Sequence, residues 1–251
     1  MRYGWRWAYF SPENAPLEYH ASKLIEKFTG KKFDKQNLTA GEYKQVKEHL
    51  ESNFFFINPS DYKVDTILEK ARYLVRRKGI KALVIDPYNR LEDEKAGMKE
   101  TDYIGTLLDK LSKFAQRNDI LIILMAHPTK PAKNRDGKIE TPTLYDISGS
   151  AHFFNMADFG IVVHRDRLNN TVEIRVEKVK FKHLGSAPGI ALMKYNLNNG
   201  RYTPYYAEQE LQWDNSNHLV EEAKQLEEDA AEAAKFDFDS WLPERNNEVP
   251  F

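Results

Sequence analysis

The sequence contains no cysteine. Disulfide bonds and thiolate metal sites are therefore excluded, and a cytoplasmic location is the default expectation. No run of about 18 apolar residues occurs that could span a bilayer. The polar segment 1–7 does not resemble a signal peptide. We therefore expect a soluble, cytoplasmic protein with no membrane partner.

Glycine-rich phosphate loops are also lacking. Only 12 of the 251 residues are glycine, and none belongs to a G-x-x-x-x-G-K-[ST] sequence. Such a loop supplies backbone N–H groups and a lysine that hold the phosphates of a nucleotide. A nucleotide site formed by this chain alone would have no such cradle.

Charge is distributed unevenly, although the net charge is −1. Residues 207–251 contain 13 acidic and 3 basic residues, whereas residues 1–206 contain 25 acidic and 34 basic residues. A basic body favours a polyanionic partner such as nucleic acid, although many unrelated proteins share this balance. At 251 residues the chain can form one large domain with an appendage.

Two apolar runs end in polar residues that could carry chemistry. Residues 82–85 lead to Asp86, residues 121–126 lead to His127, and a proline follows in each case. Each run has the composition of a buried strand. If the strands are parallel, the acid and the imidazole lie at the edge where open α/β sheets bind ligands. Asp86 could equally cap the next turn.

Strands and helices alternate along the first part of the chain. Helices are expected to end at Gly30 and Gly79, and Thr39 with Glu42 forms the capping box of another helix. This alternation predicts an α/β fold with a mainly parallel sheet, finished by antiparallel strands toward the C-terminus. The change in composition after Tyr206 divides the chain into a domain, 1–206, and an acidic helical or flexible tail, 207–251.

The order of several motifs resembles the RecA-type motor domain of DnaB-like replicative helicases, in particular the branch of phage primase-helicases and Twinkle. The motifs are Ser11-Pro12-Glu13-Asn14, residues 83–86, residues 125–130, residues 146–151, and Ala157-Asp158 through to His164-Arg165. The resemblance implies a RecA-like three-layer sandwich. It also implies ATP or another NTP and Mg²⁺ as cofactors, single-stranded DNA as partner, and a homo-oligomeric ring, expected to be a hexamer.

The resemblance implies catalytic roles for three residues. Glu13 resembles the glutamate that polarises the attacking water, Asp86 the Walker B acid that holds magnesium through its water shell, and His127 the γ-phosphate sensor. Each has a plainer interpretation. Glu13 could only favour a helix dipole, and His127 could be an ordinary strand-end residue.

Further residues are implied to bind nucleotide or DNA. Arg165 belongs to the fourth motif, and Lys178 and Lys180 occupy the positions of a Lys-x-Arg finger that reaches the neighbouring subunit's ATP. Here lysine replaces the arginine, so the planar guanidinium fork is lost. A loop after His127 is expected to contact DNA phosphates. Its candidate residues are Lys130, Lys133, Arg135 and Lys138.

The missing phosphate loop is the main departure from the family. The loop would be expected roughly 20 to 40 residues before Met1, since a βαβ unit takes about 30 residues. We therefore expect a motor domain without its P-loop strand and first helix, with a gap in its sheet, and inactive as the isolated chain.

Three functions follow from these observations. The first is an ATP-dependent DNA helicase or primase-helicase motor, with a possible replication partner at the acidic tail. The second is a non-catalytic remnant that binds single-stranded DNA or a helicase ring. The third, less favoured, is a magnesium-dependent nuclease that uses Glu13, Asp86 and Asp158.

Overall fold

The structure is a computed structural model that describes residues 4–92, 97–129, 141–147, 151–166 and 169–206. The four basic residues predicted to bind DNA, between 130 and 138, lie outside these ranges. The predicted acidic tail, 207–251, also lies outside them. No helix in the described part of the chain is long and apolar enough to cross a membrane.

The first sheet contains four parallel strands. They are β1 (Arg6–Phe10), β2 (Phe54–Phe56), β3 (Ile80–Ile85) and β4 (Leu121–Leu124). Their order across the sheet is β2-β1-β3-β4. Since all neighbours are parallel, the carboxyl ends of the strands lie along one edge.

Four helices connect and cover these strands. They are α1 (Leu17–Thr29), α2 (Ala40–Asn53), α3 (Val64–Lys78) and α4 (Glu100–Asn118). The predicted helix ends are confirmed. Gly30 and Gly79 adopt left-handed conformations after α1 and α3, with φ of 68° and 65°. Thr39 and Glu42 form both hydrogen bonds of the capping box at the start of α2.

Helices cover both faces of the first sheet. On one face, α3 and α4 pack against Phe10, Leu83 and Ile85 in the larger core. On the other face, α1 and α2 pack against Phe54 in a smaller core, with Trp7 and Tyr9 partly buried beside it. These are the helix and sheet layers of an α/β sandwich.

The C-terminal part of the domain forms a second sheet of four antiparallel strands. After the short helix α5 (Ala151–Met156) come β5 (Phe159–Asp166), β6 (Thr171–Val179), β7 (Gly189–Tyr195) and β8 (Tyr202–Pro204). They pair in chain order. The predicted antiparallel finish is confirmed.

Polar contacts attach the second sheet to the rest of the domain. The backbone N–H of Leu144 donates to the carboxylate of Glu177 on β6, at 2.8 Å. Arg201, next to β8, donates to the carbonyl oxygens of Lys27 and Phe28 at the end of α1, both at 2.8 Å. The second sheet is therefore fixed to the helix layer of the first sheet at the end of α1.

The position of β4 differs from the sequence-based expectation of a buried strand. It lies at the edge of the first sheet and pairs with β3 only, within the described residues. Leu121 is 39% exposed, and Ile122 to Leu124 are partly exposed. Because the run is apolar throughout, its composition is that of a central strand, while its position is that of an edge strand.

The break between the two sheets agrees with the expected gap. β5 is also an edge strand, and three of its apolar side chains, Phe159, Ile161 and Val163, are 46%, 58% and 58% exposed. The apolar strand residues on both sides of the break are therefore incompletely covered.

The two strands β3 and β4 allow a matched stability test. Leu83 on β3 is fully buried, whereas Leu121 on β4 is 39% exposed. Leu83→Ala is expected to lower the free energy of unfolding by about 2–5 kcal/mol, because it removes buried methyl groups and leaves a cavity. Leu121→Ala should lower it clearly less. Urea unfolding of both variants measures the difference, and equal losses would contradict the edge position of β4.

Candidate functional site

The functional residues lie where three parallel strands end. Phe10, Ile85 and Leu124 are the last residues of β1, β3 and β4, and they are in register. The backbone of the next residues continues the pairing, since Asp86 N–H donates to the Phe10 carbonyl oxygen at 2.9 Å. The segments that follow the strands therefore leave the sheet side by side.

Asp86 is held in place by the turn that follows β1. Its Oδ2 atom accepts hydrogen bonds from Ser11 Oγ at 2.8 Å and from Asn14 Nδ2 at 3.0 Å. Lys23 on α1 donates to Asn14 Oδ1 at 2.9 Å and so orients that amide. Three side chains from the first part of the chain thus fix the carboxylate at the end of β3.

The turn itself explains why Glu13 faces a different direction. Pro12–Asn14 is a single turn of 3₁₀ helix, and residues three apart in such a turn lie on the same side. Ser11 and Asn14 therefore reach Asp86 together, and they bond to each other at 2.7 Å. Glu13 lies between them in sequence and extends away from Asp86.

Glu13 bridges a cation and the predicted histidine. Its Oε1 accepts a hydrogen bond from Arg90 Nε at 3.1 Å, and its Oε2 lies 3.5 Å from His127 Nε2. The hydrogen bond from Arg90 is the largest cause that lowers the pKa of Glu13, and His127 lowers it further. Glu13 is therefore ionised at neutral pH and its carboxylate lies beside the imidazole.

His127 is accessible for contact with a ligand. Its side chain is 62% exposed, and its backbone N–H donates to Asn89 Oδ1 at 3.3 Å. Asn89 belongs to a short 3₁₀ turn after β3. Two neighbouring strand ends therefore determine the position of the imidazole.

The oxygen donors at Asp86 suit magnesium. Magnesium keeps most of its water and binds proteins through one or two carboxylates together with substrate phosphates. Asp86 supplies one carboxylate, and Ser11 places a hydroxyl group beside it. The described residues contain no group of three His, Asp or Glu side chains that could hold a metal by themselves. The set fits an ion bound with nucleotide phosphates, with Asp86 as the protein ligand through water.

The structure does not bring the other predicted nucleotide-binding residues into contact with this cluster. Arg165, on β5, stacks on the ring of Tyr195, with its Cζ 4.8 Å from the ring centre. Lys178 donates to the carbonyl oxygens of Phe154 and Asn155 at the end of α5, at 2.5 and 2.9 Å. These side chains are engaged within the second sheet and its neighbouring helix.

Lys180 and Asp158 form an ion pair in the same region. Lys180 Nζ lies 2.7 Å from Asp158 Oδ1, and both side chains are about half exposed. Asp158 was the third carboxylate of the nuclease hypothesis. In the described residues it pairs with this lysine at the start of β5 rather than with Glu13 or Asp86.

Sequence analysis missed several residues of the site. Ser11 and Asn14 were part of a quoted motif but received no role, and Lys23 and Arg90 received no attention. The one available signal was the Ser-Pro-Glu-Asn order, because Ser and Asn at three-residue spacing are typical of turns whose side chains bond nearby groups. Lys23 and Arg90 follow from tertiary placement, 9 and 77 residues from their partners.

Fold and site together define a class, namely α/β domains whose ligand site lies at the carboxyl edge of a parallel sheet. The chain belongs to the DnaB-like helicase C-terminal domain family, whose family model matches residues 14–196. The predicted resemblance and the RecA-like fold are thereby confirmed.

Curated relatives agree with this assignment. The chain is 38% identical over 216 residues to the chloroplastic/mitochondrial Twinkle homolog of Arabidopsis thaliana, covering 80% of this chain and 30% of that protein. It is 24% identical over 162 residues to the DNA helicase/primase of Enterobacteria phage T3, covering 62% of this chain and 27% of that protein. The chain therefore spans about a third of the length of these relatives.

Solved structures share the fold. An ATPase domain of this group superposes with a TM-score of 0.62 at 18% identity, covering 79% of this chain and 74% of that chain. A DnaB-like replicative helicase, described with its interactions with primase, superposes with a TM-score of 0.65 at 19% identity. That match covers 79% of this chain and 51% of that chain.

The Arg90–Glu13 contact gives a pH-dependent prediction. Arg90→Ala is expected to raise the pKa of Glu13 toward its ordinary value of 4.5, because the largest stabilising contact of the carboxylate is lost. NMR titration of the side-chain carboxyl carbon measures this pKa. In the unchanged chain, the contact stabilises the fold above pH 4.5, and this contribution is lost as pH falls through the lowered pKa.

The matched control is Arg175→Ala, which removes a similar contact of 2.6 Å with Glu173 on the second sheet. It should leave the titration of Glu13 unchanged. A Glu13 pKa that is the same in Arg90→Ala and in the unchanged chain would show that the Arg90 contact does not hold the carboxylate.

Proposed function

We propose that the chain is the motor part of an ATP-driven replicative DNA helicase of the primase-helicase type. The observation that carries this proposal is the meeting of Glu13, Asp86 and His127 at one edge of the parallel sheet. A carboxylate beside an imidazole and a second, separately held carboxylate are the groups that phosphoryl transfer to water requires.

Each of these side chains has a distinct task in the proposed reaction. Glu13, ionised and oriented by Arg90, accepts a hydrogen bond from the attacking water and polarises it. Asp86, held by its two donors, orients the water shell of magnesium, which neutralises phosphate charge when it is bound with ATP. His127 is exposed beside Glu13 and so can contact the terminal phosphate and couple its presence to the loop that follows.

The phosphate cradle has to come from a segment outside residues 4–206. The apolar, half-exposed β4 is the place where another parallel strand can pair. Such a strand would end at the same edge as β4, and the loop after it would open beside His127. A P-loop in that position would place its backbone N–H groups near the three functional side chains.

The remaining proposed features follow the family. Single-stranded DNA is the proposed substrate track, contacted by the basic residues between 130 and 138. A homo-oligomeric ring, expected to be a hexamer, would place Arg165, Lys178 and Lys180 near a neighbouring subunit's nucleotide. The ion pair of Lys180 with Asp158 is half exposed, so it can exchange for a phosphate at small energetic cost.

The catalytic proposal is tested in a protein extended by a strand–loop–helix unit that carries a P-loop. Glu13→Gln in this protein is expected to lower the ATP hydrolysis rate by about 10²- to 10⁴-fold, the usual contribution of a positioned base. Binding of a fluorescent ATP analogue should be retained, since the change leaves Asp86 and the phosphate loop intact. Steady-state hydrolysis and equilibrium nucleotide binding are the two measurements.

The control is Glu18→Gln, an exposed acid in the first turn of α1, which should hydrolyse ATP at the unchanged rate. Equal hydrolysis by the Glu13→Gln variant and the extended parent would refute the catalytic role of Glu13.

DNA binding gives a second prediction. Replacing Lys130, Lys133, Arg135 and Lys138 together by glutamine should weaken binding to an oligo-dT strand and flatten its salt dependence. Each lost phosphate contact is expected to reduce the slope of log affinity against log salt by about 0.7. Fluorescence anisotropy at several salt concentrations measures this slope, and an unchanged slope would contradict the proposed contacts. A fourfold replacement of Lys32, Lys35, Lys44 and Lys47 serves as the charge-matched control.

A further inference from the structure

A basic groove lies between helices α3 and α4, away from the site described above. It has a volume of about 810 Å³ and is lined by Leu68, Arg72, Arg76, Lys113, Phe114 and Arg117, among others. Leu68 and Phe114 are buried core residues, so the floor of the groove is apolar. Cationic side chains surround this floor.

The groove is at the opposite end of the domain from the strand ends that carry Glu13 and Asp86. Arg76 lies four residues before β3 begins at Ile80, and Arg117 lies four residues before β4 begins at Leu121. The basic end of the groove is therefore near the amino edge of the parallel sheet. A ligand there would not overlap the proposed nucleotide site.

Three guanidinium groups in the groove remain available for an anionic ligand. Lys110 pairs with Asp65 at 2.9 Å and Lys113 pairs with Asp109 at 2.6 Å. Within the described part of the chain, no carboxylate pairs with the arginines of the groove. Arg72 instead lies over the ring of Phe114, with its Cζ 5.6 Å from the ring centre. Guanidinium groups bind carboxylates through two parallel hydrogen bonds.

The acidic C-terminal segment of the same chain has the complementary chemistry. It contains 13 acidic and 3 basic residues over positions 207–251. Within it, the sequence Phe236-Asp237-Phe238-Asp239 alternates aromatic and acidic side chains, and Trp241 follows closely. Carboxylates fit the arginines of the groove, while aromatic rings fit its apolar floor and the faces of its guanidinium groups.

The segment is long enough to reach the groove from the end of β8. Thirty residues separate Tyr206 from Phe236, which allows a span of up to about 100 Å at about 3.3 Å per residue. A folded body of about 200 residues has a radius of gyration of about 17 Å. Every point on its surface is therefore within reach.

We propose that residues 236–241 dock into the α3–α4 groove of their own chain. The docked segment pairs Asp237 and Asp239 with groove arginines and covers the apolar floor with aromatic rings. Docking closes the groove to other polyanions and leaves the basic loop after His127 as the place where DNA phosphates are bound. Because the contact is largely electrostatic at its rim, it is sensitive to salt.

Carbodiimide cross-linking of the full chain tests the proposal, because this reagent joins only lysines and carboxylates that are in direct contact. Mass spectrometry at low salt should find Lys110 or Lys113 joined to Asp237 or Asp239. The yield should fall at least about tenfold in Arg72→Gln/Arg76→Gln/Arg117→Gln, because each lost charge-assisted bond weakens binding by about that factor. The same cross-links in unchanged yield would overturn the proposal.

A matched control on the same helix is Arg77→Gln, because Arg77 is adjacent to Arg76 but does not line the groove. This variant should keep the cross-links. A second variant, Asp237→Asn/Asp239→Asn with Phe236→Ala, changes only the acidic segment and leaves the body untouched. In this variant, Lys110 and Lys113 should lose their cross-links to residues 207–251.

Mixing isotope-labelled and unlabelled chains identifies the chain that supplies the segment. Cross-links within one isotope class support docking on the same chain. Cross-links that join the two classes in statistical proportion would overturn it in favour of a second copy. Absence of any cross-link between the groove and residues 207–251 in the unchanged chain at low salt would also overturn it.

Discussion

Parallel pairing of β1, β3 and β4 is the constraint on which the functional site depends. The pairing sets the ends of the three strands in register, so residues that are far apart in sequence emerge next to one another. Glu13 and His127 are 114 positions apart, yet a carboxylate oxygen and a ring nitrogen come within 3.5 Å. A shift of one strand by two residues would move its functional side chain by about 7 Å and separate this pair.

The turn after β1 divides its side chains between two tasks. Ser11 and Asn14 bond to Asp86, while Glu13 is directed toward Arg90 and His127. The short motif therefore does more than present one acid. It also fixes the second acid and keeps the two carboxylates in separate hydrogen-bond environments. This separation suits different roles for the two groups, because each environment sets the charge and orientation of one carboxylate alone.

Local patterns in the sequence were sufficient for most elements and for the strand-end residues. Apolar runs located β3 and β4, while glycine and a capping box located the helix ends, because these signals depend on backbone conformation nearby in the chain. The exposure of β4 was wrongly predicted, since the sequence of a strand does not specify its neighbours. Lys23 and Arg90 were missed for the same reason: their partners are chosen by tertiary packing. Arg165, Lys178 and Lys180 remain predictions for contacts that only an assembled ring would form.

One additional strand would account for two separate features of the molecule. The first is the central-strand composition of β4 at an open edge, together with the exposed apolar residues of β5. The second is a set of phosphate-handling side chains in a sequence that has no phosphate loop. A parallel strand on β4 would cover apolar surface and would also end beside His127, where a loop could meet the phosphates. Under the proposed function, the contact that completes the sheet and the contact that completes the nucleotide site are therefore the same. Stability and ATP binding should consequently be coupled in the extended protein, because any ligand that binds only the completed site also stabilises the completed sheet.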